Sequence, residues 1–176
     1  MDEFTQKDCI PNMSNESFTN QVLVLHDTEL GQIFFCLQDT GDTLHTVSLK
    51  NGEVTSHRKQ DVIGLLKPEL LPNSAKLQLS QIRPFGAKDL SEHTPQYSGY
   101  SFLPDGRYSS GVWLCSIEEV RDYVQMQKDY QHRVLICDRN DFAVMEFIEG
   151  QLVFPDEQTI KEHVKGQSYG ESMTMG

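Results

Sequence analysis

Cys115, His132 and Asp138 are the residues whose types and order could do nucleophilic chemistry. They fall within SGVWLCSIEEVRDYVQMQKDYQHRVLICDRNDF, residues 110–142. The Cys115 thiol stands one residue ahead of a predicted helix, whose exposed amides and dipole can lower a thiol pKa. His132 opens the next predicted strand. Asp138, or Asp141 beyond it, could orient an imidazole as in a Cys-His-Asp arrangement. Against this, Glu118 and Glu119 occupy the same helix end and oppose a thiolate, and no glycine-rich elbow surrounds the cysteine. Cys115 is therefore expected to be a packing residue, with a cysteine-dependent hydrolase or transferase as the alternative.

The remaining chemistry is thinner. The four cysteines (Cys9, Cys36, Cys115, Cys137) form no C-x-x-C pair, and three sit in or beside apolar runs, where a free cysteine behaves as a small hydrophobe. The six histidines include no H-x-x-x-H or H-E-x-x-H. His26 and His45, with Cys36 or Asp39 as a third ligand, are the nearest approach to a zinc set, and no metal is expected there. Glu146 interrupts an apolar strand. It either pairs with Arg133 or Arg139, or faces a small-ligand pocket between the two halves of the chain. No phosphate-binding loop of the Walker or dinucleotide type occurs, and no cofactor is expected.

Tyr97, Tyr100, Arg107 and Tyr108 are the candidates for partner binding. Tyrosine and arginine join apolar area to a polar handle and dominate binding hot spots. Their neighbours Phe102 and Trp113 are expected in the core.

Composition narrows the partners. The 176 residues carry a net charge of −11. Residues 1–96 hold 8 Lys/Arg against 13 Asp/Glu, and residues 97–176 hold 7 against 13. Neither half has the clustered cations that neutralise phosphate, so nucleic acid and anionic lipid are disfavoured. No apolar run approaches the ~20 residues of a membrane span, and the N-terminus lacks an apolar signal region. The expectation is a cytoplasmic protein with reduced thiols that binds a protein partner and catalyses nothing.

The elements that must position these residues read as α+β. Residues 1–19 are polar and aperiodic and are expected to form a flexible arm. Residues 20–84 hold short β-branched runs, QVLVLHD, GQIFFCLQ and TLHTVSLKNGEVTS, in which Asn51-Gly52 marks a type I′ hairpin turn. Four or five such strands imply a small antiparallel barrel-like sheet, SH3-like in shape. AKLQLSQIRPF alternates and predicts a half-exposed strand with Leu77, Leu79 and Ile82 inward. Residues 86–98 read as a linker. Residues 97–166 read as a β-α-β-β unit with a short C-terminal helix begun near Asp156, and 167–176 as a disordered tail. Within that unit Ser116 and Glu119 form a capping box, and Ile117, Val120 and Val124 carry the apolar stripe of a helix at 117–130.

Overall fold

The structure is a computed structural model and describes residues 3–11 and 17–155. It is mixed α+β, with two five-stranded antiparallel sheets and few helices. The first sheet contains β1 (Val22–Thr28), β2 (Gly31–Asp39), β3 (Thr43–Ser48), β4 (Val54–Arg58) and β5 (Gly64–Leu65), in the order β4-β3-β2-β1-β5. It is open at β4 and β5 and does not close into a barrel. Helix α1 (Asn73–Leu79) follows. The second sheet contains β6 (Tyr97–Phe102), β7 (Val112–Leu114), β8 (Arg133–Asp138), β9 (Ala143–Ile148) and β10 (Gln151–Phe154), in the order β10-β9-β8-β6-β7. Helix α2 (Ile117–Gln127) crosses from β7 to β8.

The apolar runs of β1 and β2 follow from burial on both faces. Val22 and Val24 pair with Phe35 and Ile33 and face a core shared with Leu49, Leu79 and Met126. Leu23 pairs with Phe34 on the opposite face, in a second core with Leu25, Cys36 and Leu44. A strand covered on both sides cannot alternate apolar with polar residues.

Three local expectations are corrected. The stretch predicted as a strand from Ala75 to Ile82 begins as α1, which buries Ala75 and Leu79 one turn apart. Strong helix formers (Ala, Lys, Leu, Gln) outweigh the apparent alternation, and Pro72 stands at the N-cap with φ −63°. Asn51-Gly52 does sit in the β3–β4 connection, but only Gly52 has positive φ (+80°). The turn is longer than two residues, with the Gly52 amide on the Ser48 carbonyl at 2.8 Å and the Glu53 amide on the Asn51 side chain at 2.9 Å. The two-residue turn with positive φ at both centres is Glu149-Gly150, joining β9 to β10. Third, the described part of the N-terminal arm is held in place. Gln32, in β2, accepts the amides of Glu3 and Phe4 on Oε1 and donates from Nε2 to the Phe4 and Leu25 carbonyls. Cys9 bridges to Leu66 and is 3% exposed. The expected C-terminal helix and tail lie outside the described residues.

Helix α2 joins the two halves. Val120, Tyr123 and Val124 face the second sheet, while Met126 enters the core of the first. Gln127 and Gln131 donate to the carbonyls of Leu79 and Lys76, and the Tyr123 hydroxyl to that of Ser80. These bonds add to the backbone amides of Ser80 and Ile82 already received by the Lys76 and Leu79 carbonyls, and give the Ser80 carbonyl its acceptor role at the end of α1. Tyr123 lies so close to β6 that a Cβ on Gly99 would stand 2.7 Å from its ring.

Candidate functional site

Strand order decides the fate of the proposed thiol site. Tyr97, at the start of β6, pairs with Leu114 of β7 and with Asp138 of β8. Cys115 and Asp138 therefore share one end of the sheet. His132 belongs to the other end, where its amide donates to the Phe102 carbonyl at 3.1 Å. Five residues of β6 separate the two ends, about 17 Å at strand rise. The His132 imidazole is engaged by Glu149, with Nδ1 2.6 Å from Oε1. The Asp138 carboxylate closes its own turn by accepting the amides of Asn140 and Phe142. The three residues do not converge.

Cys115 is 8% exposed and belongs to a different network. Its amide donates to Glu119 Oε1 at 2.9 Å, and Arg83 places Nη2 2.8 Å from the same carboxylate and 3.7 Å from the Cys115 sulfur. Lys88 donates its amide to Glu119 Oε2 at 3.0 Å. Burial opposes ionisation of Glu119, but the amides of Lys88 and Cys115 and the Arg83 guanidinium outweigh it and hold the carboxyl below its ordinary range. The capping box is thus half realised. Ser116 accepts the Glu119 amide at 3.2 Å, while the Glu119 carboxylate turns away from Ser116 to tie residues 83–88 onto the start of α2. The other three thiols are pushed upward. Burial is the main cause for each, reinforced at Cys36, which rises to about 12, by Asp39, and at Cys137 by Asp141 and Asp138.

The residues weighed for zinc are dispersed. Asp39 accepts Lys59 Nζ at 2.6 Å and the amides of Phe18 and Gly41. Cys36 is fully buried, and His45 contacts the Ser56 hydroxyl. No three His, Cys, Asp or Glu side chains converge to hold a metal among the described residues. Glu146 pairs with Arg133 across β8 and β9. Two clefts lie between the halves, one lined by residues including Lys76, Gln131, His132 and Glu149 and the other by residues including Asn20, Gln21, Asp122 and Met126, and Glu146 lines neither.

The aromatic residues separate by strand parity. Tyr97 shares the face of Gly99 and Ser101 and packs against the α2 core. Tyr100 and Phe102 point to the other face. Trp113 pairs with Ser98 and so shares that outer face; it is 55% exposed rather than buried, because Val112 and Leu114 on either side point inward. Tyr108 leans on both neighbours, its ring centroid 6.1 Å from Tyr100 and 4.7 Å from Phe102. Arg133 stacks on Phe102 at 4.7 Å. Gly111, with φ +83°, leaves room for the Tyr100 ring, which a Cβ there would meet at 2.7 Å. Arg107 folds back onto Asp105 at 2.8 Å. Beside the rings lies a shallow cavity of about 330 Å³ whose floor includes Leu135 and Cys137.

Tyr100 and Tyr108 are thus brought together, Tyr97 is on the opposite side, and Arg107 is at the rim. Trp113 was missed as a surface residue, while Phe102, expected in the core, is half-buried between Tyr108 and Arg133. The recoverable signal was the alternation Val112-Trp113-Leu114, which forces the indole to the side opposite its neighbours.

No helix among the described residues is long and apolar enough to cross a membrane. No protein-family model matches the chain, and neither does any curated protein or solved structure.

Proposed function

We propose that this chain is a non-enzymatic protein-interaction module that binds a protein partner on the outer face of its second sheet. One observation carries the reading. α2 covers one face of that sheet, while the other presents Tyr100, Phe102, Tyr108 and Trp113 with no element over them among the described residues. Tyr108 and Trp113 are more than half exposed, and large aromatics with polar tips are the anchors that interfaces favour. The separation of Cys115 from His132 weighs against the hydrolase alternative. The position of Glu146 outside both inter-half clefts weighs against the sensor.

Two finer features belong to the same reading. An SH3-like character of the first sheet is supported by β5 returning to pair with β1 after a 3-10 turn at Lys59–Asp61. A cytoplasmic location is supported by four buried cysteines left as thiols.

The test is parallel affinity capture with the wild-type chain and Tyr108→Ala/Trp113→Ala, with bound proteins identified by mass spectrometry. The expected result is loss of specific partners with a melting temperature within a few degrees of wild type. An unchanged partner set removes this face from consideration.

A further inference from the structure

On the opposite side of the same sheet, α2 does not reach the far strands. It packs mainly over β6, β7 and β8, so that on that side Met145 and Phe147 of β9 are only partly buried and β10 is exposed. One wall of the resulting groove is the α2 stripe Ile117, Val120 and Val124, spaced i, i+3 and i+7. The other is Met145 and Phe147, which alternate on β9 and so share a face. Leu152 of β10 pairs with Phe147 and extends the floor to the sheet edge. Ile117 is 46% and Leu152 43% exposed. The groove has a volume of about 290 Å³. From Ile117 to Lys128 it runs about 16 Å at helical rise, the length of three helical turns.

Its charge is opposite to that of the chain. The net charge is −11, yet the charged side chains lining this groove are two cations, Arg121 and Lys128. Arg121 is exposed and enters no ion pair among the described residues. Lys128 has only a 3.6 Å approach to exposed Asp129, an arrangement worth little in water. Glu118 and Asp122, also on α2, are not part of the lining.

We propose that this groove is the docking site for an amphipathic helix of a partner protein, one whose apolar stripe is flanked by acidic residues. The apolar walls fit side chains at i, i+3 or i+4, and i+7, as in helix-in-groove recognition. The cationic lining selects acidic flanks and disfavours basic ones. This site is independent of the aromatic outer face, and either can fail without the other. The competing occupant is the chain itself, since residues 156–176 follow directly on β10 and include Ile160 and Val164 with Asp156, Glu157 and Glu162.

The experiment titrates the full chain into two fluorescent helical peptides that share one leucine stripe. One carries glutamate at the flanking positions and the other lysine. The glutamate peptide is expected to bind saturably, about tenfold more tightly than the lysine peptide, the sum of two cation contacts, and to weaken with added salt. Arg121→Glu/Lys128→Glu should reverse that preference at unchanged melting temperature. Equal binding of the two peptides, or none, overturns the proposal. So does binding of the glutamate peptide only by the full-length Ile160→Asp/Val164→Asp variant, which would mean that the chain's own C-terminal residues fill the groove.

Discussion

The two sheets have equal strand numbers and all-antiparallel pairing, yet they spend their side chains differently. In the first, β1 and β2 bury Val22 to Leu25 and Ile33 to Cys36 without a break, because α1 and α2 cover one face and residues such as Phe18, Leu30 and Val62 close the other. In the second, one face is packed on α2 and the other ends in aromatic rings with polar tips. A sheet covered on both faces contributes to stability with nearly every strand residue. A sheet covered on one face has a whole side free for recognition. The aromatic content of the chain therefore divides by role, with Phe34 and Phe35 at 0% exposure and Tyr108 and Trp113 above half.

The largest test of that division compares two truncations. Phe35→Ala in the first sheet should cost about 3–5 kcal/mol, through lost transfer energy and the cavity left in a core that closes on every side. Trp113→Ala, on a side chain of greater volume, should cost about 0.5 kcal/mol or less, the range of surface substitutions. Urea denaturation of the two variants measures both. If Trp113→Ala unfolds the chain, the outer face is structural and the interaction reading loses its basis.

The same contrast governs how much was legible in the sequence. The runs QVLVLHD and GQIFFCLQ declare buried strands because double-sided burial removes alternation, and the Ser116 cap with its stripe declares α2. The linkage between elements was not legible. β8 pairs with β6, while β7, next in the chain, takes the edge, so the Cys115-to-His132 separation depends on a non-sequential strand order that no local pattern encodes. The I′ turn went to Glu149-Gly150 rather than Asn51-Gly52 because hydrogen bonding to Ser48 and the packing of Gly52 against Gln78 shape the longer connection. The role of Glu119 was half visible: a capping box states which amide Ser116 receives, but not that Arg83, thirty-six positions earlier, claims the carboxylate.

That ion pair supplies a prediction of intermediate size, because it ties residues 83–88 to the start of α2. Glu119 is 5% exposed and accepts two amides and the guanidinium. Glu119→Ala leaves the amides of Lys88 and Cys115 without their acceptor and strands Arg83 near the helix start. The expected cost is about 2–4 kcal/mol, toward the lower side of a broken buried pair because Arg83 retains some solvent contact. Hydrogen exchange should show faster amides across 83–88 and the first turn of α2, with the first sheet little changed. Uniform loss of protection across both sheets would instead make this ion pair a keystone of the whole fold.

The smallest effect concerns the edge of the covered sheet and is read through pH. His57 in β4 sets its ring against Phe34, centroids 4.7 Å apart at 68°, and its Nε2 is buried without a hydrogen-bond partner. Burial lowers its pKa below the ordinary histidine value, only partly offset by Asp61. A base whose folded pKa is lowered binds fewer protons folded than unfolded between the two values, so stability rises with pH across that window. The contribution of neutral His57 is complete above about pH 6.5, the unfolded value, and is lost as pH falls below it toward the folded value. Denaturant midpoints measured from pH 7.5 down to pH 5 should therefore fall less steeply in His57→Gln than in wild type, since glutamine does not titrate. Parallel curves for the two proteins would show that β4 opens to water at no cost, and that even the covered sheet has one loose edge.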